Sequence, residues 1–422
     1  VIGAALDLNI DSVEEIWNIE TTKRARRTLA QELTPVRFAL RRALSQSTET
    51  NPWRRWRMHD SLLSTVGDHF FIGLRPTSVL DERDRALLRD LRPAGVILYK
   101  SNFRHDLPYR EWLSIHKDLI AAIRDASQRE RQFIAIDHEG GRVCRTPPPI
   151  TRFSYAARWA GTAEQVGDAM GAELASLGCN LNFAPVLDIH SNPANPVIGE
   201  RAFGRTAEEV IKSMLPFTKA MEHRGVRACG KHFPGHGDTQ VDSHHELPVI
   251  DLDLEQIKSR ELLPFAAAIA DGIEMIMTSH ILYRKLDPND PVTLSRAITH
   301  GLLREAMNFR GVIVSDDVGM RAMAGRLDAP DSGARFMAAG NDMLMICSHL
   351  TDTERARGLA QSIINGVDQG KLDPALLAAS AKRVHAMLDS TAQNAVSELP
   401  GEVLARHRGA GTQFDAATVE VV

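Results

Sequence analysis

One lysine, four histidines and two aspartates crowd the fifteen residues Lys231-His232-Phe233-Pro234-Gly235-His236-Gly237-Asp238-Thr239-Gln240-Val241-Asp242-Ser243-His244-His245. An apolar lead-in at Val226, Ala228 and Cys229 runs into Lys231 and His232, and a proline and two glycines then throw the chain into a loop. So many ionisable side chains would be costly to bury unpaired, so the loop is expected to border a polar pocket, where imidazoles and carboxylates can move protons. A second acid-bearing stretch lies downstream, where the β-branched run Gly311-Val312-Ile313-Val314-Ser315 ends on Asp316 and Asp317. A carboxylate at the end of a buried strand is suited to act as a nucleophile or to hold a cation-like centre.

Something must carry these groups to one place. From His69 onward, apolar runs alternate with helical patterns. The runs are 70–74, 95–99, 133–136, 181–185, 226–230, 274–278, 311–315 and 342–346. The helical stretches fall at 82–91, 107–126, 163–177, 207–223, 254–270, 296–307 and around 320–339, with a pair at 353–366 and 373–388. The strands are continuously apolar rather than alternating, as in a parallel sheet buried on both faces. About eight of them predict a single α/β domain, a (β/α)8 TIM-type barrel. Polar groups then fall where such a barrel keeps its chemistry, just past the strands: Asp137-His138-Glu139, Asp188, Lys231-His232, Ser279-His280 and Asp316-Asp317.

These segments resemble an ordered motif set. Asp137-His138-Glu139-Gly140-Gly141-Arg142-Val143, Gly199-Glu200-Arg201-Ala202-Phe203-Gly204, Lys231-His232-Phe233-Pro234-Gly235-His236-Gly237, Asp242-Ser243-His244 and Ser315-Asp316-Asp317-Val318-Gly319-Met320 are similar to those of bacterial β-N-acetylglucosaminidases (β-hexosaminidases) of glycoside hydrolase family 3. The resemblance runs from about Phe70 to Leu388. It implies a retaining hydrolase in which Asp316 is the nucleophile and His244, paired with Asp242, is the acid and then the base. It further implies that Asp137, Arg145, Arg201, Lys231 and His232 bind sugar hydroxyls and an N-acetyl carbonyl. The implied substrate is a small GlcNAc-containing carbohydrate, such as a muropeptide from cell-wall turnover or a chitooligosaccharide, with no cofactor and no metal. The residue types fit: retaining hydrolysis needs a carboxylate and a separate proton donor, and an aspartate two residues away can orient an imidazole.

Three other readings stay open. A metal-dependent hydrolase on the same barrel would use His232, His236, Asp242 and His244 as ligands, although the spacing offers no H-x-x-x-H on a helix. A phosphorylase would pass the glycosyl group to phosphate, which an imidazole donor would not repel. A binding module would keep the pocket without turnover.

Three segments follow from composition. Residues 1–65, acidic and then rich in arginine, read as an amino-terminal extension, partly helical or disordered; 66–390 as the catalytic barrel with its carboxyl-terminal helices; and 391–422, small and polar, as a flexible tail. A net charge of −4, with 25% charged and 43% hydrophobic residues, gives no pull toward nucleic acid or membrane, and no apolar run is long enough for a span. Four widely spaced cysteines without a C-x-x-C pair suit buried free thiols and a reducing cytoplasm.

Overall fold

The computed structural model describes residues 65–240, 246–348 and 352–410. The amino-terminal extension expected over residues 1–65 therefore lies almost wholly outside the described residues. So do Asp242 and His244.

Eight parallel strands close into a barrel. In chain order they are β1 (Phe70–Gly73), β2 (Gly95–Leu98), β3 (Phe133–Ile136), β4 (Leu181–Asn182), β5 (Arg227–Phe233), β7 (Met275–Thr278), β9 (Val312–Asp317) and β10 (Met343–Cys347), while β6 (Val249–Ile250) and β8 (Leu282–Tyr283) pair with each other outside it. Each strand neighbours the next, and β1 pairs with β10 to seal the ring. The (β/α)8 architecture is thus the one the alternating pattern predicts.

Strand alternation divides the core in two. Phe71, Ile97, Phe133, Ala135, Leu181, Cys229, Met275, Met277, Val312, Val314, Met343 and Met345 pack together, whereas Phe70, Ile72, Val96, Ile134, Ile276, Ile313 and Leu344 belong to the larger cluster shared with the helices. The first set faces the lumen: Phe71 of β1 meets Phe183, just past the non-adjacent β4, edge-on at 5.3 Å. Both sets are fully buried, which is why the strands read as continuously apolar.

The helices begin at the signals their sequences carry. In α1 (Glu82–Leu91), the Asp81 carboxylate accepts from the Arg83 N–H. Helices α2 (Tyr109–Ser127) and α3 (Ala163–Ser176) follow β2 and β3, and α4 (Ala207–His223) opens on a reciprocal Thr206/Glu209 cap. The single helix expected over 254–270 is two, α5 (Leu254–Ser259) and α6 (Leu262–Ala270). The break falls at Arg260, whose guanidinium turns to Asp238 and Glu261. Residues Ala297–Ala306 form a wide-turned π-helix, and the stretch expected around 320–339 is helical only in a short turn and in α7 (Ser332–Ala339).

The carboxyl-terminal region departs further from expectation. After α8 (Arg355–Asp368), α9 (Pro374–Ser390) contributes Val384, Met387 and Leu388 to the lumenal cluster, so it plugs the amino end of the barrel rather than merely covering the last strand. A flexible tail from residue 391 does not describe 391–410. Asn394 donates to the Cys179 and Gly225 carbonyls, Val396 bridges to Leu177, and α10 (Gly401–Ala410) lies on α3, with His407 2.9 Å from the buried Glu173. The reason is that loop carbonyls at the barrel floor need donors, and this small, polar segment supplies them.

Candidate active site

Strand parity aims the site. Extending the inward-facing residues of each strand by two positions leads from Ala135 to Asp137, from Cys229 to Lys231 and from Val314 to Asp316. All three emerge at the carboxyl end, where a parallel barrel presents its loops. In the order β1-β10-β9-β7-β5-β4-β3-β2, β9 and β3 stand four places apart, so Asp316 and Asp137 rise from opposite sides of the mouth.

Two bulges re-aim the critical residues. Between β5 and β7 the register slips between Gly230 and Phe233, at Lys231 and His232. Between β9 and β10 it slips between Val314 and Asp317: Val314 aligns with Met343, and Asp317 aligns with Met345. The Ser315 hydroxyl accepts from the Met345 N–H at 3.0 Å and fills the gap in the ladder. One extra residue per bulge lets adjacent side chains serve the same end of the barrel.

Around the mouth runs a set of ion pairs. Lys231 Nζ lies 2.6 Å from Asp137 Oδ1 and 2.7 Å from Glu139 Oε1. Arg201 grips Glu139 with two bonds, Nε at 2.7 Å and Nη2 at 2.9 Å. Arg145 Nη2 stands 3.9 Å from Asp137 Oδ2. The His232 Nδ1 atom is 2.7 Å from Asp188 Oδ2, and the His232 and His236 N–H groups donate to Asp188 Oδ1. Burial opposes the charge of Glu139, yet Arg201 and Lys231 outweigh it and hold the carboxyl well below its usual range. Burial likewise opposes the Lys231 ammonium, and Asp137 and Glu139 more than offset it, raising its pKa. The groups that reach the opening are Asp137 and Arg145, with side chains 19% and 27% exposed against 3% for Lys231.

Residues 73–387 match the Glycosyl hydrolase family 3 N terminal domain. The chain belongs to that family. A beta-hexosaminidase of Methylococcus capsulatus is 40% identical over 280 residues, which are 64% of this chain and 80% of that one. A family 3 beta-N-acetylglucosaminidase of Paenibacillus sp. str. FPU-7 superposes with a TM-score of 0.73 at 31% identity, covering 83% of this chain and 68% of that one. NagZ of Neisseria gonorrhoeae, solved with N-trifluoroacetyl-D-glucosamine, gives a TM-score of 0.66 at 28% identity, covering 82% of this chain and 98% of that one.

In this family 3 barrel, the loop after β5 is held at its base. The Asn195 amide donates to the His236 and Thr239 carbonyls, and the Tyr283 hydroxyl donates to the Gly235 carbonyl at 2.6 Å. Gly237 passes so close to Ile189 that a Cβ would sit 1.6 Å from its carbonyl oxygen, so only glycine fits. Asp242 and His244 fall in 241–245, outside the described residues. Of the four side chains a metal would need, His232 Nδ1 is engaged with Asp188 and His236 Nδ1 with Thr239, and burial lowers the His236 pKa to about 4. Among the described residues no three histidine, cysteine or acidic side chains are grouped to hold a metal ion.

Asp137, Arg145, Arg201, Lys231 and His232 are thus brought to one mouth, with Asp316 across it. Two members of the network were legible in the sequence only as acids past a strand, with no role given to them. Glu139 joins Arg201 to Lys231, and Asp188 holds both His232 and His236. Their signal was position alone: each is an acid just past a strand-like run.

Proposed function

We propose that the chain is a retaining β-N-acetylhexosaminidase that releases terminal GlcNAc from cell-wall muropeptides in the cytoplasm, a step of peptidoglycan recycling. Asp316 attacks the anomeric carbon and forms a glycosyl ester. His244, oriented by Asp242, protonates the leaving oxygen and then takes the proton of the attacking water. Asp137 and Arg145 receive the sugar hydroxyls at the opening, while Lys231, Arg201 and His232 hold that rim in place and complete the ring of donors.

The observation that carries this reading is the placement of Asp316. It is a part-exposed carboxylate at the carboxyl end of β9, one oxygen of which accepts the Asp317 N–H at 2.8 Å, across the mouth from the Asp137–Lys231 pair. The beta-hexosaminidase and beta-N-acetylglucosaminidase names of the relatives support the choice of an N-acetylhexosamine. No helix among the described residues is long and apolar enough to cross a membrane.

A 2-fluoro glycosyl fluoride tests the nucleophile. It should trap the enzyme as a stable ester on a peptide containing Asp316, and labelling elsewhere would remove Asp316 from the role. His244→Ala tests the donor. It should slow a glycoside with a poor leaving group by about 10²–10⁴-fold while sparing an activated aryl glycoside, which departs without a proton. Equal losses on both would reduce His244 to a binding group. Digesting a muropeptide with and without phosphate, and watching for a sugar phosphate, tests water as the acceptor.

A further inference from the structure

The bulge in β9 delivers two acids where one nucleophile is needed. Asp316 is part-exposed, while Asp317 is 3% exposed and shares the register position of the lumenal Met345. Asp317 Oδ1 accepts the Gly319 N–H at 2.8 Å, and among the described residues the buried Asp317 Oδ2 has no hydrogen bond of good geometry, with only Cys347 in reach of the carboxyl. An ionised carboxylate in that position would leave a buried charge half-satisfied beside a second anion. A carboxylic acid would not.

Among the described residues no cationic side chain pairs with the Asp317 carboxyl, and the donors it meets, the Gly319 N–H and Cys347, do not offset its burial. On β10 the Cys347 thiol lies within hydrogen-bond reach of the Asp317 carboxyl, and burial, with Asp317 beside it, pushes the thiol pKa well above its usual value. The Tyr99 hydroxyl, just past β2, donates to Cys347 Sγ at 3.0 Å, and burial keeps that phenol protonated too. On the outer face of Tyr99, the Arg145 guanidinium stands 5.5 Å from the ring centroid. From the β7 side, His280 Nε2 lies 2.9 Å from the Asp317 carbonyl oxygen and His280 Nδ1 lies 2.8 Å from the Thr293 hydroxyl. Asp137 adds its charge to Tyr99 and Cys347 from across the mouth.

Resting on the reading of Asp316 as nucleophile, we propose that Asp317 is a positioning residue that works as a protonated acid: it keeps the one ionised carboxylate of β9 on Asp316 and holds it in line through the Asp317 N–H. Tyr99 and Cys347 form the hydrogen-bonded wall that keeps the Asp317 carboxyl turned inward. Two adjacent acids cannot both ionise cheaply, and the more deeply buried one takes the proton. Burial, the largest cause, and the neighbouring Asp316 together push Asp317 up to about 7, prevailing over the Gly319 N–H and the Cys347 thiol and N–H, which favour the ionised form. Above that pH Asp317 ionises, a buried charge is driven toward water, and Asp316 loses its seat.

The test is the pH profile of kcat/KM on an activated aryl N-acetylglucosaminide, whose departure needs no proton donor. Wild type should lose activity as pH rises through about 7. Asp317→Asn, which mimics the protonated acid, should move that limb upward by a pH unit or more. Below pH 7, Asp317→Ala should lower kcat about tenfold, the scale on which a misaligned hydrogen bond to a charged group is felt, and it should lack the alkaline limb; Asn should recover most of the loss. Cys347→Ala removes a donor that favours the ionised carboxyl and should therefore move the same limb upward. An unmoved limb in Asp317→Asn, or an Asn variant as impaired as Ala, overturns the proposal.

Thermal unfolding provides a readout independent of activity. The folded chain binds the Asp317 proton more tightly than the unfolded chain does. The stability this proton contributes is therefore complete below the ordinary aspartate pKa of about 3.9 and is lost as pH rises through about 7. The Tm of Asp317→Asn relative to wild type should accordingly climb between those values; a constant difference overturns the protonated state. If the 2-fluoro label misses Asp316 while this Tm difference appears, the reading of the nucleophile has failed and the protonation of Asp317 has not.

Discussion

Two buried ion networks sit at opposite ends of the same barrel, built from the same residue types. At the amino end, fully buried Asp342 accepts Arg383 at 3.0 and 2.6 Å on one oxygen, and Arg304 at 2.6 Å and the Ile313 N–H at 2.8 Å on the other. Arg304 donates again to the Phe309 and Gly311 carbonyls, and the Asp342 carbonyl accepts Ser380. Every lone pair is engaged and the network is closed. At the carboxyl end, Asp137 takes Lys231 at 2.6 Å on one oxygen, while on the other, among the described residues, it meets Arg145 at 3.9 Å. The closed network can only hold strands together. The open one keeps acceptors in reserve for a ligand, at a cost the closed end helps to offset.

If that contrast is right, activity and stability should respond to different aspartates. The largest effect is expected from Asp316→Asn, which should cost on the order of 10⁴-fold or more in kcat, about 5.4 kcal/mol of transition-state stabilisation, without lowering the unfolding midpoint. Asp342→Ala strands the buried Arg304 guanidinium and leaves the part-exposed Arg383 to water, and should cost about 3 kcal/mol of stability in a denaturant titration, while the folded fraction keeps its KM. Comparable loss of activity in folded Asp342→Ala would mean the two ends are coupled. Asp137→Asn should sit between these poles. It weakens one charged hydrogen bond at a part-exposed position, so about 10-fold in kcat/KM is expected, seen mostly in KM, with a small change in midpoint.

Much of this organisation was legible in the chain and some was not, for identifiable reasons. The barrel and the strand-end acids showed through because continuous apolar runs and the polar residues after them are local signals. Pairings across space were not. Asp342 reads as the first residue of a strand, and its arginines lie 38 and 41 residues away. Glu139 finds Arg201 62 residues on. The bulges at Lys231-His232 and Ser315-Asp316 exist only relative to neighbouring strands, so no periodicity within β5 or β9 reveals them. The break between α5 and α6 fell at Arg260 and Glu261, good helix formers diverted by a tertiary pairing to Asp238.

The segment after Ser390 gives the smallest and most discriminating effect. Its composition suggests a loose tail, yet Asn394 Nδ2 reaches the Cys179 carbonyl at 2.7 Å and the Gly225 carbonyl at 3.0 Å, just ahead of β4 and β5. Those carbonyls lie at the floor of the barrel, on the end that the closed network serves. Asn394→Ala removes both bonds from a partly buried site and should lower stability by about 1 kcal/mol, since water can replace part of what is lost. Because β5 carries Lys231 at its other end, a merely local role predicts an unchanged KM, whereas a strand that transmits displacement along its length predicts a raised one. Measuring the unfolding midpoint and KM on the same preparation separates the two. An unchanged KM with a lowered midpoint would mean the floor of the barrel stabilises the fold without setting the geometry of the mouth.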